Sequence, residues 1–406
     1  MTSAARVKRE SLSKRASTLA ATLPEPAPAL NLAFDSGHAF PGVLPDLTAE
    51  ATRALTTFRA ETLQYAPRPG LPALRQHIAS YMTSDGASVT PDQVLVTNGA
   101  KHAIELICRL LLDEGDTIIV TAPTYFTAIP IFRSYGAQFI EVEQDASGID
   151  VPALAELLER MDRSGERMPK FLYNVPDFHN PTGVSMSLDR RRALLELAVR
   201  HRFFIVEDSP YRKVRFSGDS LPSLFALDRA DVVLHAGTFS KLMAPGLRVG
   251  WVAAAPALIA RMVQLKSDGG SCPLTQRMIV EFLDAGKLEA HIARVQATYR
   301  TNRDRMLVAV RRDLPDVSLQ VPDGGYYLWL SFPADVDCDA LARAASATGV
   351  TVLAGSKFFA RTDMGHPRNH MRVAYSHATP EEIDDGIGRL AEAYRAMMSS
   401  AAGTAR

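Results

Sequence analysis

The sequence predicts an α/β protein: a large domain built on a mainly parallel sheet covered by helices on both faces, and a smaller α/β domain joined to it by a long helix. Three observations predict it. Short, nearly continuous apolar runs alternate with helix-period segments from residue 94 to 255, as strands buried on both faces do. An unbroken helical pattern fills 287–314. Beyond it, strand-like pieces and a last helix return in a different rhythm.

Taken in order, Leu12, Ala16, Leu19 and Leu23 sit at helical spacing and predict a short amphipathic helix. The same stretch is basic and serine-bearing, which weakly resembles a mitochondrial transit peptide, though Glu10 interrupts that pattern. Pro24-Glu25-Pro26-Ala27-Pro28 is a stiff break. Strands follow over 94–98, 117–123, 139–144, 170–176, 203–208, 232–238 and 248–255. Helices are expected over 101–112, 127–136 and 188–201, the last capped by Ser187. Strand-like pieces at 324–332 and 370–376 precede a final helix, which opens on the capping box Thr379-Pro380-Glu381-Glu382.

At 406 residues the chain has room for two or three domains of ~150 residues. Lysine plus arginine (45) balances aspartate plus glutamate (45), so charge gives no reason to expect nucleic acid as a partner. Three scattered cysteines, Cys108, Cys272 and Cys338, form no CxxC and fit a reducing, cytoplasmic setting. No apolar run is long enough for a membrane helix.

Four stretches carry chemistry. In "GTFSKLMAPGLRVG" (237–250) Lys241 follows a small, hydroxyl-rich turn. Such a lysine can form an imine with an aldehyde cofactor if burial and cations favour its neutral amine. Thr238, Ser240 and Arg248 around it would make a cup for a phosphate dianion; a surface loop with a salt-bridged lysine is the plainer alternative. In "HNPTG" (179–183) Asn180 follows a strand, where open α/β sheets place ligands, although the motif can be only a turn. In "VEDSPYRKV" (206–214) an apolar strand ends on Glu207-Asp208, with Tyr211 three residues on. Asp208 there can be a metal ligand, a structural ion pair or the partner of a protonated ring nitrogen. In "TNGAKHAI" (97–104) a glycine turn opens a helix, whose free N–H groups favour phosphate.

Together, and in this order, the four stretches resemble the fold type I pyridoxal 5'-phosphate (PLP) aminotransferases of classes I and II, over residues 30 to 395. The likeness is greatest to the branch of 2-aminoadipate and kynurenine aminotransferases. "LAFDSGHAFPGVLP" (32–45), "YAPRPGLPALRQHI" (65–78), "APGLRVGW" (244–251), "GGYYLW" (324–329) and "MRVAYS" (371–376) support it. The resemblance implies an N-terminal arm (1–30), an N-terminal part of the small domain (31–64), a large PLP-binding domain (65–290), and a linking helix with the C-terminal small domain (291–406).

It also implies roles. Lys241 would hold PLP as a Schiff base and carry the proton between the substrate Cα and the cofactor. Asp208 would pair with the pyridinium nitrogen, and Asn180 and Tyr211 would bind the phenolic oxygen. Tyr125 would stack on the ring. Gly99, Ala100 and Lys101 would join Thr238, Ser240 and Arg248 around the phosphate, with Tyr65 reaching it from a partner subunit of a homodimer. Arg372 would clamp the substrate carboxylate and Gly37 would lie against the substrate backbone. Arg15 or a nearby residue of the N-terminal helix would touch the substrate side chain.

Two departures stand out. Relatives usually carry a hydroxyl residue where Ala100 stands and a glutamine where Lys101 stands, so a donor is lost and a cation gained. His179 before Asn180 is either a structural histidine or a group near the substrate. The expected reaction moves the amino group of an L-amino acid to a 2-oxo acid, 2-oxoglutarate by expectation, with ping-pong kinetics. The alternative is a β- or γ-elimination or replacement reaction on the same scaffold. A transcription regulator with an aminotransferase-like domain would need a DNA-binding domain ahead of the body.

Overall fold

The computed structural model describes residues 13, 16 and 32–404. The predicted N-terminal helix positions Leu12, Leu19 and Leu23, the contact expected of Arg15, and the proline break lie outside the described residues.

The large body is built on an eight-stranded sheet. Its spatial order is Val94–Thr97, Gly250–Ala253, Val233–Thr238, Phe204–Asp208, Phe171–Asn174, Thr117–Ala122, Gln138–Asp145 and Gly148–Ile149. From Val233–Thr238 to Gln138–Asp145 every pairing is parallel. Gly250–Ala253 is antiparallel to both its neighbours. It returns directly from the preceding strand through residues 239–249, and a parallel partner needs a longer crossover.

Both faces are covered, which explains the apolar runs. Ile118 and Val120 pack into a core with Ala103, Ile107 and Phe132. Ile119, between them, packs with Leu154, Leu158 and Leu194. Period-2 alternation thus sends apolar side chains into helices on either side. Helix Leu188–His201 starts at Ser187, whose side chain accepts from the Arg190 N–H. The helix expected over 127–136 is shorter, Ile129–Ser134.

The second body carries an antiparallel sheet in the order Ser318–Leu319, Tyr327–Ser331, His370–Ala374, Leu353–Ala354. Leu328, Leu330, Met371 and Val373 are fully buried. Trp329 stands opposite Arg372 in register and shares the other face with it. The long helix Leu288–Asp313 packs on the final helix Pro380–Thr404. The Thr379–Glu382 capping box forms, with N–H to side-chain bonds of 2.8 and 3.2 Å.

Residues 31–64 do not behave as one piece of the small domain. Leu32–Ala33 pairs with Val350–Thr351 in the second body. Helix Thr48–Thr56 packs instead on Pro273–Asp284 of the large body. The ion pair Arg53–Glu281 fixes it there, and Glu61–Arg277 does the same for the short helix Arg59–Thr62 that follows.

Candidate active site

Val94–Thr97, Thr117–Ala122, Phe171–Asn174, Phe204–Asp208 and Val233–Thr238 all point the same way, so the loops at their C-terminal ends share one edge of the sheet. There a cavity of about 340 Å³ is lined by Ala100, Lys101, Tyr125, Asn180, Asp208, Tyr211, Thr238, Ser240, Lys241 and Arg248. Residues predicted from separate stretches of the sequence therefore meet around one space.

Lys241 is the nucleophile candidate. Its Nζ donates to the Gly37 carbonyl at 2.7 Å and lies 4.9 Å from the centre of the Tyr326 ring. Burial, then the charges of Arg372, Arg248 and Lys101, push its pKa down to about 8. A neutral amine is thus accessible near physiological pH.

Across the cavity is an anion cup. Helix Ala100–Leu111 starts after Gly99, whose φ of +84° belongs to the left-handed region. A side chain at Gly99 would also put its Cβ 3.0 Å from Arg248 Nη2. The guanidinium of Arg248 can therefore lie against the turn only because residue 99 is glycine. Arg248 Nη2 donates to the Asn98 carbonyl at 3.3 Å. The Thr238 hydroxyl accepts from the Ser240 N–H at 3.1 Å and lies 2.9 Å from Ser240 Oγ. Hydroxyls, a guanidinium and a helix N-terminus make a phosphate site.

Asp208 ends its strand. Burial raises its pKa to about 6, against the Tyr173 hydrogen bond that favours the charged form. Oδ2 accepts from the Tyr173 hydroxyl at 2.6 Å. Oδ1 is buried with no hydrogen-bond partner among the described residues. Such an atom calls for a cationic or N–H partner from a ligand. Its neighbour Glu207 takes another direction, accepting from the N–H groups of Leu224 and Phe225 and pairing with His235.

Arg372, fully buried, reaches this site from the second body. Nη1 donates to Asn180 Oδ1 at 2.9 Å, and Nη2 donates to the Asp35 carbonyl. Its guanidinium carbon is 4.0 Å from the centre of the Tyr327 ring and 5.2 Å from that of Phe358. With Oδ1 occupied, Asn180 keeps its amide N–H groups for a ligand. The Tyr211 hydroxyl donates to that of Tyr327 at 3.3 Å. Gly37 lies so close to Tyr327 that an added Cβ would collide with the phenol oxygen.

Tyr65, in contrast, stands 86% exposed and away from this cavity. His179 is a structural group. It is buried, contacts Thr121, Thr182 and Gln144, and burial pushes its pKa down to about 3. Sequence reasoning missed Tyr173 and Tyr327. For Tyr173 a signal existed: a tyrosine in a fully buried strand needs a partner for its hydroxyl.

A half-buried lysine of lowered pKa, an anion cup and a bare carboxylate oxygen in one cavity fit PLP, and they define a PLP enzyme of fold type I. The class I and II aminotransferase family matches residues 31–390, and the chain belongs to it. It is 34% identical over 360 residues to aromatic-amino-acid aminotransferase 1 of Thermococcus litoralis, covering 88% of this chain and 85% of that one. It is 35% identical over 376 residues to 2-aminoadipate transaminase of Thermus thermophilus, covering 91% of each. The crystal structure of Pyrococcus horikoshii kynurenine aminotransferase, in complex with PMP, KYN as substrates and KYA as products, superposes with a TM-score of 0.89. The two are 31% identical, over 96% of this chain and 98% of that one. The protein is a PLP-dependent aminotransferase, and elimination or replacement is not favoured.

Proposed function

We propose that Lys241 binds PLP covalently and, once released, carries a proton between the substrate Cα and the cofactor's C4'. The observation that carries this reading is a half-buried lysine, its pKa pushed down to about 8, on the wall of the cavity that Asp208 also lines. When bound, PLP supplies an aldehyde for the amino group and a ring that takes up the electron pair released at Cα. Asp208 Oδ1 holds the ring nitrogen protonated. Asn180 and Tyr211 bind the phenolic oxygen, and Tyr125 covers the ring. The backbone of Gly99, Ala100 and Lys101 holds the phosphate together with Thr238, Ser240 and Arg248, and Tyr65 of a second copy completes that site in a homodimer.

Arg372 orients the substrate by its carboxylate and Gly37 gives it room. Amino donor and 2-oxo acid acceptor use the same arginine in turn, so the kinetics are ping-pong. The acceptor in this reading is 2-oxoglutarate. The donor is an L-amino acid with a long acidic or aromatic side chain, a reading supported by the names of the relatives and by the aromatic surroundings of Arg372. Scattered cysteines, with Cys108 and Cys338 buried as thiols, support a cytoplasmic setting.

The test is to mix the purified PLP form with single L-amino acids and follow its absorption spectrum and the products by mass. Conversion of an amino acid to its 2-oxo acid, reversed by 2-oxoglutarate, is expected. Products lacking a side-chain leaving group would return the reaction to elimination.

A further inference from the structure

The segment Asp35–His38 runs along the substrate site. The Asp35 carbonyl accepts from Arg372, and the Gly37 carbonyl accepts from Lys241. A substrate held by its carboxylate at Arg372 and by its amino group near Lys241 lies beside this segment. The next residue, His38, is exposed and close enough to Lys241 for that ammonium to act on its charge. The His38 ring meets the half-buried His377 ring edge-on, with centroids 5.6 Å apart. Backbone contacts lock both residues in place. Ser376 Oγ donates to the His38 carbonyl at 2.7 Å, and His377 Nδ1 donates to the Ala39 carbonyl at 3.2 Å. With Nδ1–H donated to that carbonyl, Nε2 of the neutral His377 ring is an acceptor, so His377 orients His38 and does not itself donate to a carboxylate.

We propose that His38, positioned by its edge-on contact with His377, forms the side-chain end of the substrate site and selects amino acids and 2-oxo acids whose side chain ends in a carboxylate. This rests on the aminotransfer reading above. An aminotransferase must admit two substrates in turn at one place. An imidazole such as that of His38 can donate to a carboxylate and still pack against an uncharged or aromatic side chain, which a fixed guanidinium accommodates less well.

In the free enzyme burial, His377 and Lys241 hold His38 below its ordinary pKa, with Asp35 opposing them. Glu382 shares a surface hollow with His377. A bound carboxylate reverses the balance at His38, so binding takes up a proton and tightens as pH falls from 8 toward 6.

The experiment uses holoenzyme and two unreactive ligands that differ only at the far end, glutarate and pentanoate, with dissociation constants read by calorimetry. Wild type should prefer glutarate, more so at pH 6 than at pH 8. Replacing one partly exposed contact, in His38→Leu, should reduce the preference by roughly threefold to tenfold. His38→Gln should keep part of the preference and lose most of its pH slope. A second arm follows single-turnover rates of the aminated enzyme with 2-oxoglutarate and 2-oxopentanoate. Unchanged selectivity in His38→Leu and in His377→Leu overturns the assignment while aminotransfer stands. A wild type that converts monocarboxylic but no dicarboxylic oxo acid overturns both this inference and the choice of 2-oxoglutarate.

Discussion

Tyr173 donates its hydroxyl to Asp208 from the neighbouring strand at 2.6 Å, occupying one carboxylate oxygen and leaving the other bare in the interior. The pair holds the carboxylate in one orientation before any ligand arrives. It also carries a cost in the apoenzyme, because a buried carboxylate is disfavoured once ionised.

Asp208→Asn should therefore separate stability from function. Between pH 3.8 and about 6 the folded apoenzyme holds a proton on Asp208 that the unfolded chain has lost. Its stability falls as pH rises through that window, and the full penalty, roughly 3 kcal/mol, persists above it. Asparagine carries no such penalty. The apo variant should melt at or above the wild-type temperature at pH 7.5, while turnover of the holoenzyme falls roughly a hundredfold or more. Melting curves of both apoproteins and steady-state rates check this; near-normal turnover would remove Asp208 from the ring nitrogen.

Lys241 predicts a pH dependence of the opposite kind. A pKa of about 8 leaves roughly a quarter of this lysine neutral at pH 7.5, against about one in a thousand for an ordinary lysine. Covalent capture of PLP by the apoenzyme should speed up as pH rises and level off above about 8. Lys241→Ala should show no borohydride-trapped adduct and no turnover. A trapped adduct in that variant would place the attachment on another lysine.

Much of this site was legible because its residues sit at the ends of strands that the sequence marks clearly. Asp208 ends an apolar run, Asn180 follows one, and Lys241 follows a third. What was hidden are contacts between elements distant in sequence. The antiparallel direction of Gly250–Ala253 depends on its direct return from the strand before, and an apolar pattern has no direction. Tyr327 reads as an ordinary strand residue until the second body brings it against Arg372, Tyr211 and Gly37. The helix Thr48–Thr56 reads as part of the small domain until its partner Pro273–Asp284 is known. His179, which the sequence leaves between a structural role and a place near the substrate, is buried among Thr121, Thr182 and Gln144.

Tyr65 and its neighbour Leu63 stand 86% and 64% exposed. Two large apolar side chains so close together on an open surface predict a contact with another copy. The protein should sediment as a homodimer at micromolar concentration. Tyr65→Phe should weaken PLP retention without altering the melting of the apoprotein if, as proposed, the hydroxyl acts on the phosphate bound by a second copy. A fully active monomer, or unchanged PLP dissociation in Tyr65→Phe, would count against the shared site.

The last prediction concerns Lys101. It lies in the first turn of the helix behind Gly99 and lines the same cavity as Arg248 and Lys241. Burial and then the charge of Arg248 lower its pKa, so two cations crowd one corner without a neutralising anion among the described residues. In the proposed reading the PLP phosphate supplies that anion. Ala100 has no hydroxyl to offer it, and the Lys101 ammonium stands at the adjacent position in its place. A charge-assisted hydrogen bond contributes roughly 1.5–3 kcal/mol when well shielded. Lys101 is exposed, which favours the lower end, so Lys101→Gln should raise the PLP dissociation constant by no more than about tenfold. The same substitution removes one of the charges that depress Lys241, so the pH at which covalent capture levels off should move upward. If the ammonium instead serves an anionic substrate, PLP affinity will hold and the substrate KM will rise. PLP dissociation, KM and the capture profile measured on one variant therefore assign the residue to the cofactor or to the substrate, and no change in any of them would leave Lys101 as a solvated surface group.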